Sequence, residues 1–359
     1  MSEERVGQIN GHTMSLSQSF ENITTEWLTD LLQMNNLLKR GSVEEIYLQS
    51  ISDVPFGAPK IRRLEIEYSI DAISDVPNKI ILKIAPKERE FLFYTRIIER
   101  MGEVSTPRCY LAQQNEGKSQ AIFLLEDLSG THFQTEYPVS PSLEHCEMSI
   151  DCLASFHAFW WNDPRLETKF RQKVTRGNYW TGRLNDAIDK LPAFLDFIGD
   201  RLPTDRQGIY EKVLASSNHH WMPDSTRNAK TFLHGDIHFW NFLFPKDPSK
   251  NEIRIFDWNS WDIGKGTNDF AYMIGLHWYP DLRQRREQFL LKRYYSNLLE
   301  QGISNYSWDD CWLDYRESCI MNLFIPVWQW QSGTSAIVWW SHLERSFLTF
   351  NDLDLIELL

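Results

Sequence analysis

The pattern of apolar and polar positions divides the chain into a strand-rich first part and a helix-rich second part. Apolar and polar residues alternate over Ile61–Ile70, and Lys79–Ala85 is a short apolar run, as expected for strands. After about residue 142, apolar residues recur at helical spacing. The predicted strands are 43–51, 61–70, 79–85, 105–113 and 119–128, and the predicted helices are 22–38, 87–101, 142–161, 178–200, 206–221, 267–276, 281–301, 307–328 and 334–350.

One stretch, 231–269, carries the residues best suited to chemistry. It reads TFLHGDIHFWNFLF and then, after a polar loop, NEIRIFDWNSWDIGKGTNDF. Asp236 and Asn241 have the D-x-x-x-x-N spacing of a kinase catalytic loop, in which the Asp accepts the proton of the attacking hydroxyl and the Asn holds a metal ion. Asp257 ends the next short apolar run, where a second metal-binding carboxylate is needed. Two adjacent strands would bring these groups together.

The same residues allow two other interpretations. His234, Asp236 and His238 could begin a binuclear metallophosphoesterase site, because His and Asp both bind transition metals. That site needs further ligands, such as a Gly-Asn-His segment downstream, and the sequence after Asn241 contains none. An Asp in a turn can also serve only as a local backbone cap.

Lys83 lies inside the apolar run Lys79–Ala85 and needs an anionic partner or a phosphate if it is buried. In the following predicted helix, Glu90 is the one charged residue on a stripe that continues through Tyr94. We therefore predict a Lys83–Glu90 ion pair of the kind with which kinases position phosphates. The alternative is an edge strand with Lys83 extending outward to solvent.

The motifs HGDIHFWN and IFDWNSWDIGKGTNDFA resemble those of the aminoglycoside phosphotransferase/choline kinase superfamily, closest to its ecdysteroid-kinase-like and bacterial branch. The resemblance also covers the segment Glu90–Tyr94, which matches an E-x-x-F-Y pattern. It implies an α+β fold of the two-lobed protein-kinase-like type, with an antiparallel-sheet N-lobe and a mainly helical C-lobe. The implied divisions are a disordered tail over 1–17, a nucleotide-binding lobe over 18–127 and a catalytic and acceptor-binding lobe over 128–359.

The resemblance further implies a phosphotransferase that uses ATP and Mg²⁺. Asp236 would be the catalytic base, Asn241 and Asp257 would hold the metal, and Lys83, positioned by Glu90, would neutralise phosphate charge. Two residues would brace the loop, His234 and Asp269.

Two further segments have counterparts in nucleotide binding. The resemblance places the hinge at Glu126–Leu128, whose backbone groups would bond to the adenine edge. The turn SDVPFGAP is either the phosphate-covering loop or an ordinary hairpin turn, since it holds only one glycine, Gly57.

Composition narrows the class of protein. The chain has 359 residues, a formal net charge of −12 and no apolar run of membrane-spanning length. The acidic balance disfavours nucleic acid and anionic membranes as partners, although it also simply aids solubility. Five cysteines without a C-x-x-C motif, and a polar N-terminus without a signal sequence, fit a cytoplasmic protein.

Tryptophan is concentrated in the second part, where 14 of the 15 tryptophans follow residue 159. Most of them are expected in the core, but Trp258 and Trp261 are candidates for an acceptor pocket, where indole faces stack on flat molecules or attract ammonium groups. Asp262 could add attraction for an amine. The expected acceptor is a small hydroxylated molecule, with aminoglycoside-, choline- and steroid-like compounds all open. The alternative function is a catalytically silent, pseudokinase-like nucleotide-binding module.

Overall fold

The computed structural model describes residues 23–51, 60–86, 88–101, 105–114, 120–166, 179–217, 219–222, 229–250 and 252–359. They form two compact units. The first contains the described residues up to Phe91 together with Arg108–Asp127, and the second contains Leu92–Pro107 and Leu128–Leu359. Among these residues, no helix combines the length and apolar character that crossing a bilayer requires.

The first unit is built on an antiparallel sheet. Its described strands are β1 (Leu38–Arg40), β2 (Val43–Ser50), β3 (Lys60–Tyr68), β4 (Ile73–Ser74), β5 (Lys79–Pro86), β6 (Cys109–Gln114) and β7 (Gln120–Glu126). Five of them form one sheet in the order β2-β3-β5-β7-β6, and β1 pairs with β4. Helix α1 (Thr25–Met34) buries Leu28, Leu31 and Leu32 in the same core as the sheet residues.

Helix α1 is shorter than the predicted helix 22–38. Thr24 caps its N-terminus by accepting a hydrogen bond from the Trp27 amide at 3.1 Å. The helix ends at Asn35, and Asn36 adopts a left-handed conformation (φ 55°), which asparagine tolerates better than most residues. The chain then enters β1, so the apolar residues Leu37 and Leu38 continue the core from outside the helix.

The central position of β5 decides between the two interpretations of Lys83. This strand lies between β3 and β7, and Lys83 is paired with Ile61 on one side and Phe123 on the other. It is not on an edge strand, and its side chain is 4% exposed. Extension of the charge into solvent is therefore excluded.

The predicted helix 87–101 contains three kinds of turn. Helix α2 (Arg89–Leu92) continues as a π-helical segment, Phe93–Ile97, and ends in a 3₁₀ turn, Ile98–Arg100. The predicted inward stripe is still buried at Glu90 and Tyr94. The wider π turns add a residue to the helical repeat, which hydrophobic periodicity alone does not reveal.

The second unit is mainly helical. The predicted helix 307–328 is divided into two because Pro326 lies in the first turn of the second helix, where a missing N–H costs no hydrogen bond. Cys311 and Cys319 are buried, as predicted. The described helices are α3 (Leu143–Phe159), α4 (Tyr179–Ile198), α5 (Thr204–Ala215), α6 (Gly266–Phe270), α7 (Pro280–Glu300), α8 (Trp308–Met321), α9 (Ile325–Gln331) and α10 (Ala336–Asp352), and a π-helical segment, Ala271–Leu276, follows α6.

Short strands interrupt the helices of the second unit and hold the motif-bearing stretch. They are β8 (His132–Phe133), β9 (Lys230–Leu233), β10 (Phe242–Pro245), β11 (Arg254–Ile255) and β12 (Asp262–Lys265). Strand β9 pairs with β12, while β10 lies between β11 and β8. All these pairs are antiparallel.

Lys265 joins β12 to α8 through buried charges. Its ammonium donates to Glu317 at 2.8 Å and lies 3.9 Å from Asp314, and all three side chains are 2% exposed. Removing one partner of a buried ion pair leaves the remaining charge uncompensated.

We expect Lys265→Met to lower the free energy of unfolding by about 3–5 kcal/mol, because two buried carboxylates would each lose the positive charge of Lys265. Urea unfolding followed by tryptophan fluorescence reports mainly on the second unit, which holds most of the tryptophans. Lys190→Met, at an exposed position of α4, is the matched control and should change the midpoint little. Equal midpoints for the two variants would contradict this prediction.

Candidate active site

The predicted catalytic loop begins where β9 ends, and Gly235 sets its path. Gly235 has φ +81°, and a Cβ atom at this position would lie 2.0 Å from the backbone oxygen of Ser260. Only glycine combines this dihedral angle with such a close backbone approach. The glycine of His-Gly-Asp is therefore required to turn the chain after the strand.

Asp269 fixes the loop from the first turns of α6. Its carboxylate accepts hydrogen bonds from the backbone amides of His234 at 2.7 Å and Gly235 at 2.9 Å. His157 of α3 approaches the same carboxylate through Nε2 at 3.2 Å. Asp269 is 1% exposed, and bonds to an ionised acceptor are stronger than neutral ones. Its contacts are those of a bracing residue, as the resemblance implied.

His234 also braces the loop, because both of its ring nitrogens bond to the backbone. Nε2 lies 2.9 Å from the carbonyl of Phe256, and Nδ1 accepts from the amide of Asp236 at 3.3 Å. This network assigns the Nε2–H tautomer. A metal ligand would need a free ring nitrogen, and no group of three His, Cys, Asp or Glu with metal-binding geometry occurs in the described part of the chain. The metallophosphoesterase interpretation therefore has no support.

Asp236 is half-buried and held by a tyrosine. The hydroxyl of Tyr272 donates to its Oδ1 at 2.6 Å. Burial, followed by the negative charge of Asp236, raises the pKa of Tyr272 well above its usual value, so the tyrosine remains a donor. One carboxylate oxygen is thus fixed by this bond.

Asn241 and Asp257 lie at the open end of the β10–β11 hairpin. Phe242 pairs with Ile255, and the amide of Phe256 donates to the carbonyl of Asn241 at 3.1 Å. The Asn241 amide nitrogen donates to the Asp236 carbonyl at 2.8 Å, which links the hairpin to the loop. The predicted juxtaposition of Asn241 and Asp257 on two adjacent strand ends is present.

Asp257 adopts an unusual backbone conformation. Its φ is +67°, in the left-handed region that few non-glycine residues enter. Asn259 donates to its Oδ1 at 2.6 Å. Such strained conformations persist where the surrounding structure imposes them and are concentrated at functional sites.

The predicted ion pair of the first unit is formed. The Lys83 ammonium lies 2.7 Å from the Glu90 carboxylate, and the glutamate side chain has no exposed surface. The Glu90 charge also contributes to the raised pKa of Cys109, about 12, although burial is the larger cause. The Glu90 carboxylate therefore has a close cationic partner in Lys83.

The segment expected at the adenine edge already makes hydrogen bonds within the chain. The amide of Glu126 donates to the carbonyl of Arg108 at 2.8 Å. The carbonyl of Leu128 accepts from the amides of Thr131 at 3.0 Å and His132 at 2.8 Å. Other backbone groups of this segment would have to bind a base. Gly57 and its turn lie outside the described residues.

Three predicted acceptor residues are instead part of the core. Trp258 is 0% exposed and stacks on Phe93 with ring centroids 4.0 Å apart, and Trp261 is 2% exposed and stacks on Phe232 at 4.9 Å. Asp262 accepts from the amide of Trp180 at 2.8 Å, at the first turn of α4. The interpretation of Trp258 and Trp261 as pocket residues was wrong, since packing accounts for both, and the Asp262 carboxylate is engaged by a backbone amide of α4.

Tyr272 and a group of histidines near Asp236 were missed by sequence analysis. Tyr272 follows Asp269 by three residues, and this helical spacing was the one available signal. The rings of His238 and His277 lie 5.3 Å apart, and His342 follows at 4.7 Å from His277. Their separation along the chain gave no signal.

Comparisons with known proteins give the family and the fold. Residues 75–303 match the model of the ecdysteroid kinase-like family. A comparison with curated proteins gave no match.

Two solved structures illustrate the likeness of fold. A protein from Ralstonia eutropha JMP134, described as an aminoglycoside phosphotransferase, shares 14% identity and has a TM-score of 0.57, over 93% of this chain and 98% of its own. A choline/ethanolamine kinase family protein from Mesorhizobium loti shares 12% identity with a TM-score of 0.50, over 86% of this chain and 87% of its own. The predicted α+β kinase-like fold is confirmed, and the chain belongs to the ecdysteroid kinase-like family.

Proposed function

We propose that the protein transfers the γ-phosphoryl group of ATP to a hydroxyl group of a small molecule. The observation that carries this proposal is the hydrogen-bonded arrangement of the loop that holds Asp236. A carboxylate fixed by Tyr272 stands in a loop braced by Asp269, and Asn241 of the neighbouring hairpin bonds to its backbone. Phosphoryl transfer depends on positioning and charge stabilisation more than on covalent chemistry, which suits such a braced arrangement.

Asp236 would act as the base. The Tyr272 bond occupies Oδ1 and holds the carboxylate plane, so that Oδ2 accepts the proton of the acceptor hydroxyl as the oxygen attacks phosphorus. The bond between the γ-phosphorus and the bridging oxygen breaks, and ADP leaves with that oxygen. Because the carboxylate is fixed before the acceptor binds, little reorganisation is needed during transfer.

Asn241 and Asp257 fit a hard divalent cation. Both offer oxygen donors, and the Asn241 amide nitrogen is occupied by the Asp236 carbonyl, which leaves its side-chain oxygen for a metal. Mg²⁺ is typically bound by one or two carboxylates, with phosphate oxygens and water completing its shell. When bound, Mg²⁺ would supply neutralisation of the phosphate charge. The chain's own residues would orient the reacting groups.

Lys83 would provide a second positive charge for the phosphates. The Lys83 ammonium lies 2.7 Å from the Glu90 carboxylate, and this buried pair holds it on a central strand of the first unit's sheet. An ion pair with almost no exposed surface is expensive to maintain for stability alone. Its presence supports a role in binding the nucleotide.

A catalytically silent nucleotide-binding module is the alternative function. It would keep the fold but lack a catalytic group. Side chains suited to act as a base and to bind a metal are present, together with the Lys83–Glu90 pair, and they support the catalytic proposal. The acceptor hydroxyl and the use of ATP and Mg²⁺ remain our proposal.

The experiment that tests the proposal is a radiolabelled-ATP screen of small hydroxylated compounds beside generic protein substrates. We expect transfer of label to one or more small alcohols and none to protein. Binding of Mg-ATP without transfer to any compound would favour the silent module. Robust labelling of proteins alone would contradict a small-molecule acceptor.

We expect Asp236→Asn to lower the rate of transfer to the acceptor found in the screen by about 10²–10⁴-fold, because the amide cannot accept the proton. Mg-ATP affinity should remain close to that of the wild type, as measured by calorimetry. Asp247→Asn, on an exposed surface loop, is the matched control. A variant that turns over at the wild-type rate would exclude Asp236 as the base.

We expect Asp257→Ala to remove the Mg²⁺-dependent part of ATP binding, because a metal-binding carboxylate is lost. Calorimetry with ATP would be run in the presence of Mg²⁺ and then of a chelator. The wild type should bind more tightly with Mg²⁺, while the variant should bind equally in both. Unchanged Mg-ATP affinity in the variant would exclude this role.

A further inference from the structure

A cluster of polar rings adjoins Asp236 and has no part in the proposed transfer. His238, His277 and His342 form a continuous series, with ring centroids 5.3 Å and 4.7 Å apart. Tyr272, whose hydroxyl bonds to Asp236, lies 5.0 Å from the His277 ring. The histidine cluster, defined by these three rings, therefore reaches the base through one tyrosine.

One buried ring nitrogen of the histidine cluster has no hydrogen-bond partner among the described residues. His277 Nδ1 is 2.8 Å from the Tyr272 carbonyl, and His342 Nδ1 is 2.9 Å from the side-chain oxygen of Gln329. His238 Nδ1 is buried and has no partner among the described residues. Burial lowers the pKa of all three rings, that of His342 to about 3. At neutral pH each ring is uncharged and carries one N–H. The Tyr272 carbonyl accepts that of His277 and the Gln329 side-chain oxygen accepts that of His342, which leaves the N–H of His238.

Arg345 adds a fixed positive charge beside the cluster. Arg345 is 8% exposed, and its guanidinium carbon lies 4.3 Å from the centroid of the Tyr279 ring. The Arg345 Nε is buried, and within the described part of the chain it has no hydrogen-bond partner. The Arg345 charge contributes to the lowered pKa of His277 and His342, after the larger effect of burial. Since an unpaired buried charge is costly, this position calls for an anion.

Two aromatic faces of the second unit hold one of the chain's own arginines. Arg183 lies 3.8 Å from the ring of Tyr179 and 3.9 Å from that of Trp328. The positive charge of Arg183 also acts on Tyr272, the tyrosine that bonds to Asp236. With these faces occupied, an ammonium group would meet two guanidinium groups of like charge.

We propose that Arg345 and His238 form a subsite for a carboxylate of the acceptor, which makes the acceptor a hydroxy acid rather than an amino alcohol. This inference rests on the proposed function, because it describes the molecule that Asp236 would deprotonate. The guanidinium face is covered by Tyr279, and its edge N–H groups match the two oxygens of a carboxylate. The N–H of His238 would add a neutral donor.

Three probes with the same ring and primary alcohol separate the charge classes. They are para-(hydroxymethyl)benzoate, para-(hydroxymethyl)benzamide and para-(hydroxymethyl)benzylamine. Calorimetry on the full chain with Mg-ADP measures binding without turnover. We expect the benzoate to bind about tenfold or more tightly than the benzamide, as for a hydrogen bond to a charged group, and the benzylamine to bind most weakly.

The variant Arg345→Gln should remove the preference for the benzoate. Its melting temperature should equal or exceed that of the wild type, because an unpaired buried charge is removed, and this serves as the folding check. Arg345→Lys keeps the charge without the planar fork and should retain part of the preference. Arg285→Gln is the control, since the Arg285 side chain is 69% exposed, and it should behave as the wild type.

The proposal is overturned if the benzylamine binds wild-type protein as tightly as the benzoate, if the benzoate does not bind, or if Arg345→Gln keeps the preference. A parallel phosphorylation assay separates this from the proposed function. If the protein prefers the benzoate but transfers phosphate to no alcohol, the proposed transferase activity is contradicted and the carboxylate subsite stands. If phosphate is transferred to an alcohol but the benzoate is not preferred, the carboxylate subsite is contradicted and the proposed transferase activity stands.

Discussion

The candidate site depends on the carboxylate of Asp269. A buried carboxylate needs several donors, and here two backbone amides of the loop and one imidazole supply them. These bonds attach the start of the loop to the first turn of α6. The same helical region presents Tyr272 three residues later, so the brace and the residue that orients Asp236 share one rigid element. A change in the position of Asp269 would therefore move both the loop that carries Asp236 and the tyrosine that bonds to its carboxylate.

Backbone conformation is the second constraint. Gly235 and Asp257 both adopt positive φ angles, and they lie at the two points where the chain leaves a strand to reach the site. At Gly235 the reason is steric, because the Ser260 backbone leaves no room for a side chain. At Asp257 the same backbone region is occupied by a residue with a side chain instead of by glycine. This indicates a functional requirement for its carboxylate.

Local charge near Asp236 differs from the charge of the whole chain. The formal net charge of −12 disfavours anionic partners such as nucleic acid. Arg183 and Arg345 nevertheless lie on aromatic rings of the second unit, and the nearby histidines are kept neutral by burial. Net charge sets the long-range field, whereas a bound ligand experiences the few groups within contact distance.

From the sequence by itself, local periodicity indicated the main helices and strands, and the resemblance of its motifs implied the kinase-like fold. The spacing of those motifs also singled out the candidate residues Lys83, Glu90, Asp236, Asn241 and Asp257. The sequence did not reveal the burial of Trp258 and Trp261, the π turns after α2, or the cluster of His238, His277, His342 and Arg345. The members of that cluster are separated by up to about a hundred positions, and only the packing of α10 and the segment after α6 against the loop brings them together. Tertiary structure decided these features because contacts between distant residues depend on how helices and strands pack against one another. Such contacts produce no periodic pattern of apolar residues in the sequence.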